Sequence, residues 1–181
     1  MSTRELSIPG TRRHHLYLVP ERRVPRASHA PAGRTLHLLD LENLAGGPKV
    51  AQSELDAAVA MYREAAALSH HDLVVVAVNP ALAVAAGRTC SGARVVVRGG
   101  PNGADEALLS VVADREWVAA RFDRVVIGSG DGIFTELAND LRALGIAVGV
   151  IAQAVRVSSR LARAATFVRL FHSDHMLAGA A

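Results

Sequence analysis

The sequence predicts an α/β domain in which a doubly wound, mainly parallel β-sheet is covered by helices on both faces, giving three layers. Two observations indicate this class. Short apolar runs rich in valine alternate with stretches that have the apolar periodicity of a helix. The runs are apolar throughout, which is typical of parallel strands buried on both faces. Right-handed crossovers between such strands then produce the double winding.

Six strands are predicted, each from an apolar run bounded by turn residues or by a change to helical periodicity. They are Leu36–Asp40, Asp72–Val78, Ala93–Arg98, Arg124–Ile127, Ile146–Ile151 and Thr166–Leu170. The last of them is expected at an edge of the sheet.

The stretches between the strands have helical periodicity and helix boundary signals. Ser53 and Asp56 have the spacing of a capping box, and Gly145 stands where a glycine would end a helix. Trp117 is expected to face inward from its helix. The predicted helices run over about 53–69, 80–87, 105–120 and 132–144, with a short one after Ser158 or Ser159.

The chain divides by composition into a leader, one domain and a tail. Residues 1–33 form a leader rich in proline and arginine, which we expect to be flexible. Residues 34–170 form the domain and 171–181 a C-terminal tail. Seven arginines and two glutamates give residues 1–34 a net charge of +5, so this segment either binds a polyanion such as RNA or is a solvated arm. The single cysteine excludes an internal disulfide, and the absence of an apolar run of membrane-spanning length predicts a cytoplasmic protein with no membrane partner.

Acidic residues stand where predicted strands end or helices begin. Asp40 ends the first strand, Asp105 opens a helix after a glycine-rich turn, and Asp131 follows the fourth strand. In doubly wound sheets the ligand crevice lies beyond the carboxyl ends of the strands, at the switch point. If the first and fourth strands are neighbours, Asp40 and Asp131 face one crevice.

Three carboxylates in one crevice repel one another, and a divalent cation relieves that repulsion. Mg²⁺ and Mn²⁺ prefer such oxygen ligands, so Asp40, Asp105 and Asp131 are predicted to hold one Mg²⁺ or Mn²⁺ ion, or two. A helix-capping role is the alternative for Asp105 and Asp131. Glu42 and Glu106 are candidates for the outer shell of this site.

Four motifs occur in an order that resembles the NYN family of PIN-like nucleases. They are Leu39–Leu44, Asn102–Leu108, Ile127–Phe134 and Leu141–Val148. The resemblance covers roughly residues 34–170. It implies a PIN-like fold and metal-dependent endoribonuclease activity, with RNA as the partner.

The resemblance also assigns residues to the site. Asp40, Asp105 and Asp131 fall on the metal-binding acids of the family, Asn43 on its asparagine near the first acid, and Ser129 on the small hydroxyl residue before the last acid. These five residues are therefore the expected catalytic set. Many PIN-like proteins pair with an antitoxin or another regulatory protein, and an alanine-rich helix face is compatible with a homodimer.

Contacts to the RNA backbone are predicted for basic residues. These are Arg98, at the end of the third strand, and the leader residues Arg22, Arg23 and Arg26. Phosphate contacts by arginine are independent of sequence. For Arg98 a solvated strand end is the alternative.

The sequence departs from the family at Ile133, where a further acid commonly follows two residues after the last one. This departure favours an alternative in which the protein is a catalytically weakened PIN-like protein that binds RNA or a partner. A second alternative is a phosphohydrolase of the haloacid-dehalogenase type, because Asp40 and Glu42 have the spacing of its two acids. That chemistry needs a later lysine, whereas Lys49 is the only lysine and follows the first motif directly.

Overall fold

The structure is a computed structural model that describes residues 2–6, 14–18 and 33–171, with side chains described for 33–171. The strands are β1 Ser2–Leu6, β2 His14–Leu18, β3 Thr35–Asp40, β4 Leu73–Val78, β5 Arg94–Val97, β6 Arg124–Gly128, β7 Ala147–Gln153 and β8 Phe167–Phe171. The α-helices are α1 Leu41–Ala45, α2 Gln52–Ala66, α3 Ala83–Thr89, α4 Gly103–Val111, α5 Arg115–Ala119, α6 Thr135–Ala143 and α7 Ser159–Ala164. Single 3₁₀ turns at Pro80–Leu82 and Gly132–Phe134 precede α3 and α6.

All these strands lie in one sheet, in the order β1-β2-β8-β7-β6-β3-β4-β5. The six strands from β8 to β5 are parallel, whereas β2 pairs antiparallel with β8 and β1 antiparallel with β2. Chain order reverses direction at β3, which lies between β4 and β6. The predicted mainly parallel, doubly wound sheet is therefore confirmed, and so is the condition that the first and fourth predicted strands are neighbours.

Each face of the sheet has its own apolar core. Leu36 and Leu38 point to the face covered by α4, α5, α6 and α7, whereas Leu39 points to the face covered by α1, α2 and α3. The side chains alternate because successive residues of a strand point to opposite faces. A strand with a core on both sides has to be apolar along its whole length, as the valine-rich runs are.

The helix predicted over residues 105–120 is instead two helices, α4 and α5. The chain leaves the helix after Val111 and starts again with Asp114 as N-cap, whose carboxylate accepts a hydrogen bond from the Trp117 amide at 2.8 Å. The expectation that Trp117 faces inward is wrong. Its side chain is 43% exposed, and the guanidinium of Arg121 lies 4.3 Å from its ring centroid.

The capping box predicted at Ser53 and Asp56 is also wrong. The N-cap of α2 is Ala51, and the carboxylate of Glu54 accepts the Ala51 amide at 2.7 Å. Asp56 instead accepts hydrogen bonds from Gln52 and from Thr89 of α3.

The leader contains two strands, β1 and β2, which extend the sheet beyond β8. β1 precedes Pro9 and β2 lies between Pro9 and Pro20, so neither strand contains a proline. Because β2 pairs with β8, the last parallel strand is not the edge strand that we expected. Within the parts of the chain that the structure describes, no helix has the length and apolar character to cross a membrane.

Candidate functional site

The candidate site begins at the carboxyl end of β3, the strand where the chain order reverses. Asp40 is the last residue of β3 and the N-cap of α1, and its Oδ1 accepts the Asn43 amide at 3.1 Å. The residue is buried, with 5% of its surface exposed. A side-chain oxygen at this position therefore caps α1, and Glu42 and Asn43 lie within that helix.

The loop after β6 lies directly beside Asp40. The hydroxyl of Ser129 is 3.4 Å from Asp40 Oδ2 and accepts the Asp131 amide at 3.2 Å. The side-chain oxygen of Asn43 accepts the Gly130 amide at 3.0 Å. The structure therefore brings Asp40, Asn43, Ser129 and the backbone of Asp131 into one hydrogen-bonded group.

Asp131 itself lies at the outer side of this group. Its carboxylate caps the Gly132–Phe134 turn by accepting the Ile133 amide at 2.9 Å, and the residue is exposed. The side chain of Ile133 packs against the apolar core. At the position where the family commonly has a further acid, this chain therefore supplies core packing.

Asp105 reaches the site from the first turn of α4 and is buried, with 7% of its surface exposed. The N-cap of α4 is Asn102, in a left-handed conformation with φ of 56°. A Cβ on the next residue, Gly103, would lie 2.6 Å from the carbonyl oxygen of Arg98, so this tight turn needs glycine. Oδ1 of Asp105 is buried and has no hydrogen-bond partner among the described residues.

The electrostatics of the two buried acids favour a positive charge beside them. The pKa of Asp40 is raised to about 7, chiefly because the residue is buried; the hydrogen bond from Asn43 lowers it, and the negative charges of Asp105 and Glu42 contribute to the rise. Burial also raises the pKa of Asp105, and the charge of Asp131 adds to that shift. Two carboxyls that resist ionisation side by side form a site that a cation would stabilise.

These residues line a cleft of about 240 Å³, which we call the acidic cleft. Its polar lining consists of Asp40, Glu42, Asn43, Asn79, Arg98, Asn102, Asp105 and Arg156. Asp131 lies beside the cleft and is not part of its lining. Within residues 33–171, no three His, Cys, Asp or Glu side chains are close enough together to form a complete metal-binding cluster.

The two glutamates predicted for the outer shell have other partners in the structure. Glu42 accepts the amide of Asn79 at 2.6 Å, which ties α1 to the end of β4. Glu106 forms an ion pair with Arg98 at 2.5 Å. The remaining predicted RNA contacts, Arg22, Arg23 and Arg26, lie outside the described residues.

Arg156 lines the acidic cleft, although sequence reasoning assigned it no role. Arg156 follows β7 and belongs to no recognisable motif. Only the position of β7 beside β6 brings this loop to the cleft, so a pattern local to the sequence does not reveal it.

Comparison with known proteins found one family model that matches the second half of the chain. The family model of the NYN domain matches residues 84–171, which contain Asp105, Ser129 and Asp131, whereas Asp40 and Asn43 precede the match. A protein of unknown function from Vibrio parahaemolyticus, solved by crystallography, is similar with a TM-score of 0.50 and 17% identity over 78% of this chain and 93% of that one, which bears on the fold alone. No curated protein matches the sequence significantly. Residues 84–171 are therefore similar to the NYN domain, a family of the PIN-like nuclease superfamily.

Proposed function

We propose that the protein is a metal-dependent endoribonuclease that hydrolyses RNA phosphodiester bonds in the acidic cleft, with Mg²⁺ or Mn²⁺ as the cofactor. The observation that carries the proposal is the pairing of Asp40 and Asp105. Both carboxyls are buried at the switch point of the sheet, both have a raised pKa, and Asp105 Oδ1 has no donor among the described residues. The similarity of residues 84–171 to a family of nucleases supports the same conclusion.

The donor set fits a hard divalent cation. All the nearby acidic donors are carboxylate oxygens, which Mg²⁺ and Mn²⁺ prefer. Mg²⁺ usually keeps several waters and takes only one or two protein carboxylates directly. We infer that Asp40 and Asp105 are the inner ligands and that the exposed Asp131 acts from the side. When bound, the ion would lower the pKa of a coordinated water and stabilise charge on the scissile phosphate.

The other residues of the site orient the acids and the RNA. Asn43 holds the loop after β6 through the Gly130 amide, and Ser129 links Asp40 to the Asp131 amide. Their role is to fix the carboxylates relative to one another, which is what precise positioning of a reacting phosphate requires. Arg98 stands at the rim, where its guanidinium is available for a phosphate contact that competes with Glu106.

The test is cleavage of a structured RNA by the purified full chain in Mn²⁺, compared with Asp131→Asn. Asparagine keeps the cap on the Ile133 amide and removes the charge, so we expect folding to be retained and cleavage to fall at least about a hundredfold. Glu116→Gln is the matched control, because it removes an exposed charge on α5 away from the cleft. Equal rates for the wild type and Asp131→Asn would reject the assignment.

A catalytically weakened RNA- or partner-binding protein is the second candidate, favoured by the core-facing Ile133. Titration with Mn²⁺ separates the two candidates, since a weakened protein would bind the ion poorly and cleave nothing. Turnover of p-nitrophenyl phosphate would instead support the haloacid-dehalogenase alternative. A cytoplasmic location, a homodimer and an antitoxin or regulatory partner stay predictions.

A further inference from the structure

Arg156 is a basic residue of the acidic cleft that the proposed function does not use. It lies in the loop between β7 and α7 and is exposed. Arg98, the other arginine of the cleft, follows β5. Because β3 lies between β7 and β5 in the sheet, the two guanidinium groups approach the cleft from opposite sides of Asp40.

The loop that carries Arg156 is fixed by the site itself. Ser158 donates its amide to the Gly130 carbonyl at 2.8 Å, and buried Gln153 donates its side-chain amide to the Leu44 carbonyl at 2.9 Å. A Cβ on Gly130 would lie 2.5 Å from the Arg156 carbonyl oxygen. The backbone of Arg156 is therefore packed between the end of α1 and the loop that holds Asp131.

The two arginines of the cleft differ in the charge that they offer. Arg98 is neutralised by Glu106 at 2.5 Å. Arg156 donates from its Nη2 to the carbonyl oxygen of Gly46 at 2.5 Å, which is a neutral acceptor. Within residues 33–171 it forms no ion pair, so its full positive charge stays at the rim of the cleft.

A cleft whose base is acidic repels a polyanion unless cations at its rim attract it. Arginine is suited to this task because its planar group donates two parallel hydrogen bonds to a phosphate. One of the five N–H groups of Arg156 serves Gly46, and this bond orients the guanidinium without consuming its charge.

We propose that Arg156 is a phosphate-binding residue that holds the RNA strand in the acidic cleft. The proposal rests on the proposed function for its ligand, RNA, and a short single-stranded RNA serves as the probe. Gly46 and the β7–α7 loop fix the position of Arg156. Its charge, which is unpaired within residues 33–171, is available for a phosphate contact, whereas the charge of Arg98 is already paired with Glu106.

The experiment measures binding of a short fluorescent single-stranded RNA to the full chain, at several salt concentrations. Ca²⁺ replaces Mn²⁺ as the hard cation, and a gel verifies that the RNA stays intact. We expect Arg156→Gln to weaken binding about tenfold, the usual effect of losing one charged hydrogen bond. It should also reduce the slope of log affinity against log salt by about 0.7, since one phosphate contact on a single strand is lost.

Two further variants distinguish a specific contact from general electrostatics and from misfolding. Arg160→Gln removes the same charge from an exposed position on α7 outside the cleft, and we expect both the affinity and the slope to stay as in the wild type. Arg156→Lys keeps a charge and a donor for Gly46 but not the fork, and we expect an intermediate affinity with the wild-type slope. Urea unfolding checks that all the variants fold.

The proposal is overturned if Arg156→Gln binds like the wild type, if Arg160→Gln loses as much affinity, or if the wild type binds no single-stranded RNA. Cleavage in Mn²⁺ is measured separately. If the wild type binds but cleaves nothing, the proposed function fails while the role of Arg156 stands. If the wild type cleaves and Arg156→Gln cleaves with the same KM, the role of Arg156 fails alone.

Discussion

Replacing Asp40 by asparagine should make the metal-free protein more stable at neutral pH, although it removes a residue that we place in the site. Asn and Asp have nearly the same shape, and the amide oxygen of asparagine still accepts the Asn43 backbone amide that Asp40 accepts now. What disappears is a buried carboxyl that resists ionisation. The variant therefore shows whether the Asp40 carboxylate stabilises the fold or is needed only for the proposed metal binding.

The magnitude follows from the pKa of Asp40. In the folded protein it is about 7, against an ordinary value of 3.8. Below pH 3.8 the carboxyl is neutral in both the folded and the unfolded chain. As the pH rises towards 7 the unfolded chain loses the proton first, so the free energy of unfolding falls by about 1.4 kcal/mol for each pH unit. The total loss reaches up to about 4 kcal/mol above pH 7, and Asp40→Asn escapes it.

Urea unfolding in EDTA at pH 4 and at pH 8 measures this difference. We expect Asp40→Asn to match the wild type at pH 4 and to be more stable at pH 8. Asp56→Asn is an informative control, because hydrogen bonds from Thr89 and Gln52 lower the pKa of Asp56 and the sign of its pH dependence is reversed. Mg²⁺ should stabilise the wild type more than Asp40→Asn. The reasoning is refuted if Asp40→Asn is less stable than the wild type at pH 8, or if their difference does not change with pH.

Two other predictions concern packing and a buried histidine. Gly130→Ala should lower the free energy of unfolding by about 1–3 kcal/mol, because the new Cβ would lie 2.5 Å from a carbonyl oxygen. Gly87→Ala should raise it by about 0.5–1 kcal/mol, because the space around this position in α3 is open. Urea midpoints that rank the two variants in the opposite order would contradict this prediction. Burial lowers the pKa of His37 below 6.5, so the unfolded chain binds a proton before the folded protein does, and the stability advantage of the wild type over His37→Gln should shrink as the pH falls below 6.5. An NMR titration of this imidazole above 6.5 would exclude the explanation.

The parallel strands were predictable because burial on both faces leaves a strong signal. A run such as Leu73–Val78 is apolar on both faces, and the parallel strands beside it are apolar on both faces for the same reason. That β3 and β6 are adjacent was not predictable from the sequence in the same way. The order of strands in the sheet depends on how the crossover connections pack, so the sequence analysis could state this adjacency only as a condition. The structure shows that it holds and that Asp40 and Ser129 are in contact.

Short helices and single side chains escaped prediction for physical reasons. The helix α1 has five residues, too few for periodicity to show and too few to be stable without its Asp40 cap and tertiary packing. Trp117 follows the apolar spacing of one long helix, but the chain breaks before Asp114 and turns the ring outward. A periodic pattern gives no sign of such a break when the interruption lasts only a few residues.

The replacement of an acid by Ile133 has a consequence for the charge balance of the proposed site. Its amide supports Asp131 and its side chain joins the core, so this turn contributes one carboxylate where the family commonly contributes two. The buried pair of Asp40 and Asp105 carries two negative charges when both are ionised, and one divalent ion balances them. A second ion would need further carboxylates, yet Glu42 is bound to the Asn79 amide and Glu106 to Arg98. Under the proposed function, the arrangement is therefore that of a one-ion site, and Arg156, which forms no ion pair within residues 33–171, is the cation left to face the RNA phosphates.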